Sequence, residues 1–502
     1  MIMKPDLGKI FLAIFIIGLI ARIFTLAVLP ESALVDSLYN VSIAKDAALQ
    51  QAVPLVGNVI ISPLYYVFSA SLHLLSGFPF EMPFVRIIPI FIAIVFFACA
   101  FLFFRKLFPK NYIVPLAFSS IFPWLVRYGA VNNIDVLSAA LLGFILYLFI
   151  DIGEKNRQNM KYAVLSAIAI SGFILLKLNT IALWPVIFFA FVWLFALNKK
   201  NKANAMAFAV IVLALSFAWF AIASLQGYGI SEKFYTGEVA GYVAEMGIAG
   251  IANSVFVSHL SFYDFPPEES FGYVPLLRGV PVAAVQGIFT VLVLPITIAI
   301  LLGIWFFLRR GNAINIFMLL LLIAAIATMV VAGYTEKERL MGGLMYIRYL
   351  VPVMPLFAAA FAYGLDSIKG KWKAVALVSF ALFAIYALAY AGISSLFYAG
   401  IYEKHAGLFE FAKALPESAK IHSMENGKAL AFYSDMRSGE ISGIYDLKAG
   451  EIYGKLREGG FTHIAVSCYR NPWDDERLSE MEAASLIERI YRDDCAGVYE
   501  IK

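Results

Sequence analysis

The chain has 502 residues, 61% hydrophobic and only 15% charged, with a mean hydropathy of +0.80. Soluble chains carry about 25% charge and 45–50% apolar residues, so this balance excludes an ordinary soluble globular protein and implies a polytopic membrane protein. The formal net charge of +4 is small and comes with no basic arm, so nucleic acid is not an expected partner.

The first apolar run, 10–29, is too long for a signal-peptide core and has no small-residue cleavage pattern after it, so it reads as a retained span. Residues 30–83 follow as a mixed segment, with an amphipathic helix expected over 34–50 and an apolar helix near 62–76. Further spans are expected at 84–104, 112–129, 134–152, 161–177, 180–197, 205–225, 281–308, 313–333, 347–366 and 374–398. At 1.5 Å per residue each approaches or exceeds the ~30 Å of a bilayer core.

The stretch "VIISPLYYVFSASLHLLSG", 59–77, is apolar but short and contains Pro63 and His73. Charge bias decides its placement. If it lies on the surface, the groups Lys4/Lys9, Arg105/Lys106/Lys110, Lys155/Arg157/Lys161, Lys199/Lys200/Lys202, Arg309/Arg310 and Lys369/Lys371/Lys373 share one side. If it crosses, every later group flips away from Lys4/Lys9. The expected fold is therefore a polytopic α-helical membrane protein of about eleven transmembrane helices, with a cytoplasmic N-terminus.

Loops 30–83 and 227–280 and the segment 399–502 fall outside the cell. From 399 the composition turns soluble. Helices expected at 403–414, 449–458 and 477–491 alternate with strands "KIHSM", "THIAVS" and "GVYEIK", a small extracytoplasmic α/β domain after a membrane domain of 1–398. Cys99 reads as a buried thiol in a span. Whether Cys468 and Cys495 pair is left open.

Charged residues collect at the outer span ends: Asp36 in "ESALVDSLYN", Arg86, Arg127 and Asp135 in "RYGAVNNID", Lys177 in "LLKLNT", and Arg348 in "IRYLVPVMP". Two acids and four cations at one membrane face suggest a site for an anionic substrate. Singly, each cation also reads as a snorkelling residue, and each acid as a loop or helix-cap charge. Tyr65 and Tyr349 join the set as substrate contacts, against the alternative of belt aromatics. Arg22, inside the first span, either snorkels or pairs with an acid. His259 and Asp264 in "SHLSFYDF" read as a solvated loop rather than a metal site.

In order along the chain, "ALVDSLYNVSIAK", "SPLYYVFSASLHLLSG", "FVRIIPIFIAIV", "RYGAVNNIDVLSAALLGFILYLF", "LLKLNT" and "RYLVPVMPLFAAAFAYG" resemble the GT-C superfamily of membrane glycosyltransferases. The nearest resemblance is to its protein O-mannosyltransferase / aminoarabinose transferase-like branch. That resemblance implies inverting transfer of a hexose or pentose from a polyprenyl- or dolichyl-phosphate donor, at the outer face of the cell membrane. The acceptor is a hydroxyl of a glycan, lipid or protein. Asp36 matches the catalytic acid of the first outer loop and Asp135 the acid of the second. Ser37 stands where many relatives carry a second acid, and Ser62 replaces the first proline of the family's double-proline segment. "NPWDDE", 471–476, lacks the Trp-Trp-Asp motif of the oligosaccharyltransferases.

A lipid phosphate leaves readily as an anion, so the chemistry needs a base and cations. Asp36 is the candidate base, and Arg86, Arg127, Lys177 and Arg348 the phosphate clamp. No cofactor is certain. A divalent metal between Asp36 and Asp135 is the remaining option. The alternative from another class is a transporter or flippase for a lipid-linked or anionic solute, which calls for mid-membrane charges and discontinuous helices.

Overall fold

A computed structural model describes residues 7–28, 41, 43–45, 63–77, 85–131, 133–155, 157–176, 182–196, 202–225, 259–260, 262–263, 281–334, 347–423, 430, 438–439, 447–467, 475–493 and 496–502. The helices are α1 (Leu7–Val28), α2 (Leu64–Ser76), α3 (Ile87–Leu107), α4 (Ile113–Ile121), α5 (Pro123–Tyr128), α6 (Ile134–Lys155) and α7 (Met160–Leu176). They continue as α8 (Leu183–Ala196), α9 (Lys202–Leu225), α10 (Val282–Arg310) and α11 (Ala313–Tyr334). A 3-10 helix (Ile347–Val353) then leads into α12 (Met354–Ser367) and α13 (Gly370–Ala414). Seven described helices are long and apolar enough to cross a bilayer, and every expected span falls on a helix or a pair of helices. The protein is a helical membrane protein.

α2 has 13 residues, about 20 Å, too short to cross. Its exposed Leu74 and Leu75 suit an interfacial position, while Tyr65, Tyr66, Ser69 and Ala70 are buried. Of the helix expected over 34–50, only Val41 and 43–45 are described. They are helical, with Val41, Ile43 and Ala44 buried in the core, so this part does more than lie on a surface.

The span at 112–129 is broken. Phe122 has ψ 119° and Pro123 opens α5, because proline lacks the N–H that the helix ladder needs. By contrast α10 and α12 pack backbone to backbone. A Cβ on Gly303 would fall on the carbonyl oxygen of Ala360, and one on Gly364 on that of Ala299. Each helix thus presents small residues four apart, the spacing that lets membrane helices approach closely.

Ion pairs mark one end of the bundle. Asp151, at the end of α6, binds Lys106 at 3.2 Å, Lys155 at 2.9 Å and Arg157 at 3.1 Å. Arg310 lies 5.4 Å over the Tyr363 ring, and Lys373 pairs with Asp366 at 4.0 Å. Asn204 at the start of α9 reaches the Gln158 carbonyl, so Lys202 lies there too. The expected basic groups are therefore gathered at this end wherever they are described. The starts of α3, α6 and α12 lie at the other end.

α13 is 45 residues long, about 68 Å, and runs through residue 398 without a break. It packs parallel to α1, with Phe11 5.7 Å from Phe380 and Gly392 beside Phe24, so Val28 and the far end of α13 share the end opposite the basic groups.

Beyond it lies a five-stranded sheet of β1 (Ile421–His422), β2 (Ser438–Gly439), β3 (His463–Ser467), β4 (Ile487–Arg492) and β5 (Ala496–Ile501), in order β2-β1-β3-β5-β4. β1 is parallel to β2 and β3, and β5 antiparallel to β3 and β4. α14 (Ala449–Glu458) and α15 (Asp475–Ala483) accompany it. The helix expected over 477–491 is thereby corrected: it stops at Ala483, Ser485 takes φ 58°, and β4 follows. Pairing with β5 overrides the helical pattern of "SLIERIYR". Tyr491 stacks on Phe411 of α13 at 4.6 Å, and the sheet thus rests on the helix that leaves the membrane.

Candidate active site at the sheet end of the bundle

The site is built around the end of α5 and the start of α6. The Asn133 side-chain oxygen accepts the Asp135 backbone N–H at 2.7 Å, which makes Asn133 the N-cap of α6. Asp135 sits in the first helical turn, where the helix dipole favours a carboxylate, and is buried at 3% exposure. Just before it, Arg127 lies in the last turn of α5, and its carbonyl accepts the Ala130 N–H at 3.2 Å. Trp124 stacks on Tyr128 at 5.2 Å and stiffens this six-residue helix.

Two other elements converge here. The 3-10 helix packs against α5 and α6, burying Leu350, Val351 and Val353. Arg348 and Tyr349 lie on this helix, next to Leu350. Arg86 precedes α3, which runs alongside α6 in the same direction: Lys106 meets Asp151 at one end, and Cys99 lies beside Gly143 midway. Arg86 and Asp135 therefore open their helices at the same end. Backbone placement thus brings Arg86, Arg127, Asp135, Arg348 and Tyr349 to one end of the bundle. Tyr65 is fully buried and packs edge-on against Tyr66 at 5.7 Å. Asp36, Lys177, Cys468 and Cys495 lie outside the described residues. Among the described residues no group of three or more His, Cys, Asp or Glu is placed to hold a metal, and Asp135 is the described member of the Asp36–Asp135 pair.

Two sequence readings change. His259 is not in a solvated loop. It is half-buried and bonds Thr297 of α10 at 2.9 Å, and the buried Tyr263 bonds the same hydroxyl at 2.7 Å. The apolar residues Leu260, Phe262 and Tyr263 pull this piece of the 227–280 segment inward. Phe262 lies 5.2 Å from Phe122 and 5.0 Å from Phe357, against the break between α4 and α5. Arg22, for its part, does not snorkel, and among the described residues it pairs with no acid. It is 3% exposed and donates to the Ser119 carbonyl at 3.3 Å. Asn133 was readable beforehand as a cap, since Asn two residues before an acid at a helix start is a capping pattern.

The arrangement extends over almost the whole of a known structure. ArnT from Cupriavidus metallidurans, bound to undecaprenyl phosphate, superposes with a TM-score of 0.59 at 13% identity, covering 99% of this chain and 98% of that one. The archaeal oligosaccharyltransferase AglB from Archaeoglobus fulgidus, in complex with an inhibitory peptide and a dolichol-phosphate, superposes with a TM-score of 0.51 at 12% identity, covering 91% and 69%. The chain shares the fold of these two structures. No family model and no curated protein matches the chain by sequence. The similarity to ArnT includes the terminal sheet region as well as the helices, since nearly the full length of both chains is covered.

Proposed function

We propose that the protein is a glycosyltransferase that moves a sugar from a polyprenyl-phosphate carrier to an acceptor hydroxyl at the extracytoplasmic face, with inversion. The observation that carries this reading is the gathering of Arg86, Arg127, Asp135 and the Arg348-bearing 3-10 helix at one end of a GT-C fold, opposite the basic end. By the positive-inside rule the basic end faces the cytoplasm and the site faces out. The ArnT structure that matches nearly end to end carries undecaprenyl phosphate, which supports a lipid-phosphate donor here.

In this mechanism Asp36 takes the proton of the acceptor hydroxyl as its oxygen attacks the anomeric carbon. The bond from that carbon to the phosphate oxygen breaks on the opposite side, and the lipid phosphate leaves as an anion. Arg86, Arg127, Lys177 and Arg348 neutralise it, with Tyr65 and Tyr349 as further substrate contacts. Asp135, held by the Asn133 cap, orients a cation or a sugar hydroxyl. The segment 399–502 is an extracytoplasmic domain that stabilises this face or selects the acceptor. The test is transfer from labelled polyprenyl-phosphate sugars in proteoliposomes, comparing wild type with Asp36→Asn.

A transporter is the second reading. The break at Phe122–Pro123 and the buried Arg22 favour it, since carriers use discontinuous helices and intramembrane charge. It predicts solute flux without donor cleavage.

A further inference from the structure

The carbonyl of Ser119 is left over by its own helix. In an unbroken α-helix it would accept the N–H of residue 123, but Pro123 has none. An open carbonyl inside a membrane bundle costs several kcal/mol by general estimate, so a replacement donor is required. Arg22 is that donor, reaching from α1 with Nη2 to the Ser119 oxygen at 3.3 Å. Neighbouring residues make room for it. Gly18, one turn earlier on α1, lies against Ser120, where a Cβ would collide with the serine hydroxyl, and at Gly129, just past the end of α5, a Cβ would collide with Arg22 Nη1. The guanidinium rests 4.9 Å from the Phe97 ring centroid and 5.9 Å from that of Phe96. At 3% exposure its Nε and Nη1 have no hydrogen-bond partner among the described residues.

A buried guanidinium with one carbonyl partner among the described residues is an expensive way to patch one helix break. Its two contacts, at Ser119 before the break and at Gly129 after it, bracket α5. That short helix holds Arg127 and feeds directly into the Asn133 cap and Asp135.

We infer that Arg22 is a positioning residue for the outer site: it clamps the broken third span so that Arg127 and Asp135 stand at fixed places. For what those two residues do, the inference rests on the proposed transferase reading. The position of α5 itself does not depend on that reading.

Two measurements on the full-length protein in detergent or nanodisc separate the two claims. The first is hydrogen–deuterium exchange. Arg22→Met raises exchange at least tenfold in peptides over 118–135 and leaves peptides over 150–163 at wild-type rates, while Arg22→Lys, which keeps a donor, stays within threefold of wild type. If Arg22→Met does not accumulate, Arg22→Leu, which likewise has no donor, carries the same expectation. Unchanged exchange over 118–135, or an equal rise across the whole chain, overturns the inference.

The second is a kinetic cycle with labelled polyprenyl-phosphate sugar. Arg22→Met lowers kcat by 10- to 100-fold, the scale of a misplacement of about 1 Å. Arg127→Ala then costs less in the Arg22→Met background than in wild type, because both act through α5. Full additivity of the two losses overturns the positioning role. A wild-type protein that cleaves none of the donors while the exchange result holds overturns the transferase reading and leaves Arg22 as the clamp of α5.

Discussion

Tyr263 and Thr297 are joined by a 2.7 Å hydrogen bond midway along α10, although Tyr263 belongs to the long segment between the seventh and eighth spans. His259 shares the Thr297 hydroxyl at 2.9 Å, and Tyr263 also packs 5.4 Å from Phe383. The polar trio fastens this segment to the bundle beside the α4–α5 break. Thr297→Val keeps the shape but leaves both partners unsatisfied, at a cost of about 1–3 kcal/mol. The thermal midpoint of the purified protein falls, and protease cutting within 227–280 accelerates. An unchanged midpoint together with unchanged cutting would show that the trio does not hold the segment.

The α10–α12 contact is the least tolerant of added volume. Gly303→Val drives a side chain into the Ala360 backbone, and two helices must separate to admit it. Overpacking costs typically about 1–3 kcal/mol, with more expected where backbone is the obstacle. Because the 3-10 helix bearing Arg348 runs straight into α12, activity falls with stability. Size-exclusion profiles of Gly303→Val and Gly364→Val show loss of the monodisperse peak, whereas a similar change at Gly287, which has open space, is tolerated.

Asn133→Ala removes the cap of α6 and costs about 1 kcal/mol in stability. Asn133→Ser keeps a capping oxygen and stays near wild type. On the proposed function the alanine variant also loses turnover, since Asp135 follows the cap by two residues. Thermal melts and donor turnover, measured on the same samples, check both parts.

The sheet region weakens in acid. His422 in β1 is fully buried against Phe461, and burial pushes its pKa down from 6.5 to about 4. Between those values the unfolded chain binds the proton and the folded one does not. Stability is therefore greatest above pH 6.5 and falls as pH drops toward 4, by about 3 kcal/mol at 1.4 kcal/mol per unit. Below about 4 both states are protonated and the loss levels off. Pulse proteolysis in urea of the full-length protein, followed through fragments of 415–502, reads this directly. His422→Leu flattens the dependence.

Apolar length is the strongest signal in such a chain, which is why each expected span falls on a helix or a pair of helices, seven of the described helices being long and apolar enough to cross. Charge bias likewise gathered Lys106, Lys155, Arg157 and Arg310 on one side, and they meet at one end of the bundle. Subtler features were hidden by the same signal. Pro123 sits in a run apolar enough to read as one helix, and the change to polar composition near 398 marks the water boundary while α13 continues to Ala414. "SLIERIYR" suits a helix or a strand equally, and only the partner strand β5 decides. In the site, the polar residues around 127–135 stood out because charge is costly at that depth. The role of Arg22 did not, since its partner is a backbone carbonyl 97 residues away, which no pattern of side chains reveals.

The proposed chemistry is donor cleavage aided by a carboxylate at the outer face. Its most direct test is the release of polyprenyl phosphate from labelled polyprenyl-phosphate sugars by wild type, Asp36→Asn and Asp135→Asn in proteoliposomes. Loss of a general base costs about 10²- to 10⁴-fold. A loss in that range is expected for Asp36→Asn and a smaller one for Asp135→Asn. Full release by Asp36→Asn, or a wild type that moves solute across the bilayer and cleaves no donor, would contradict it.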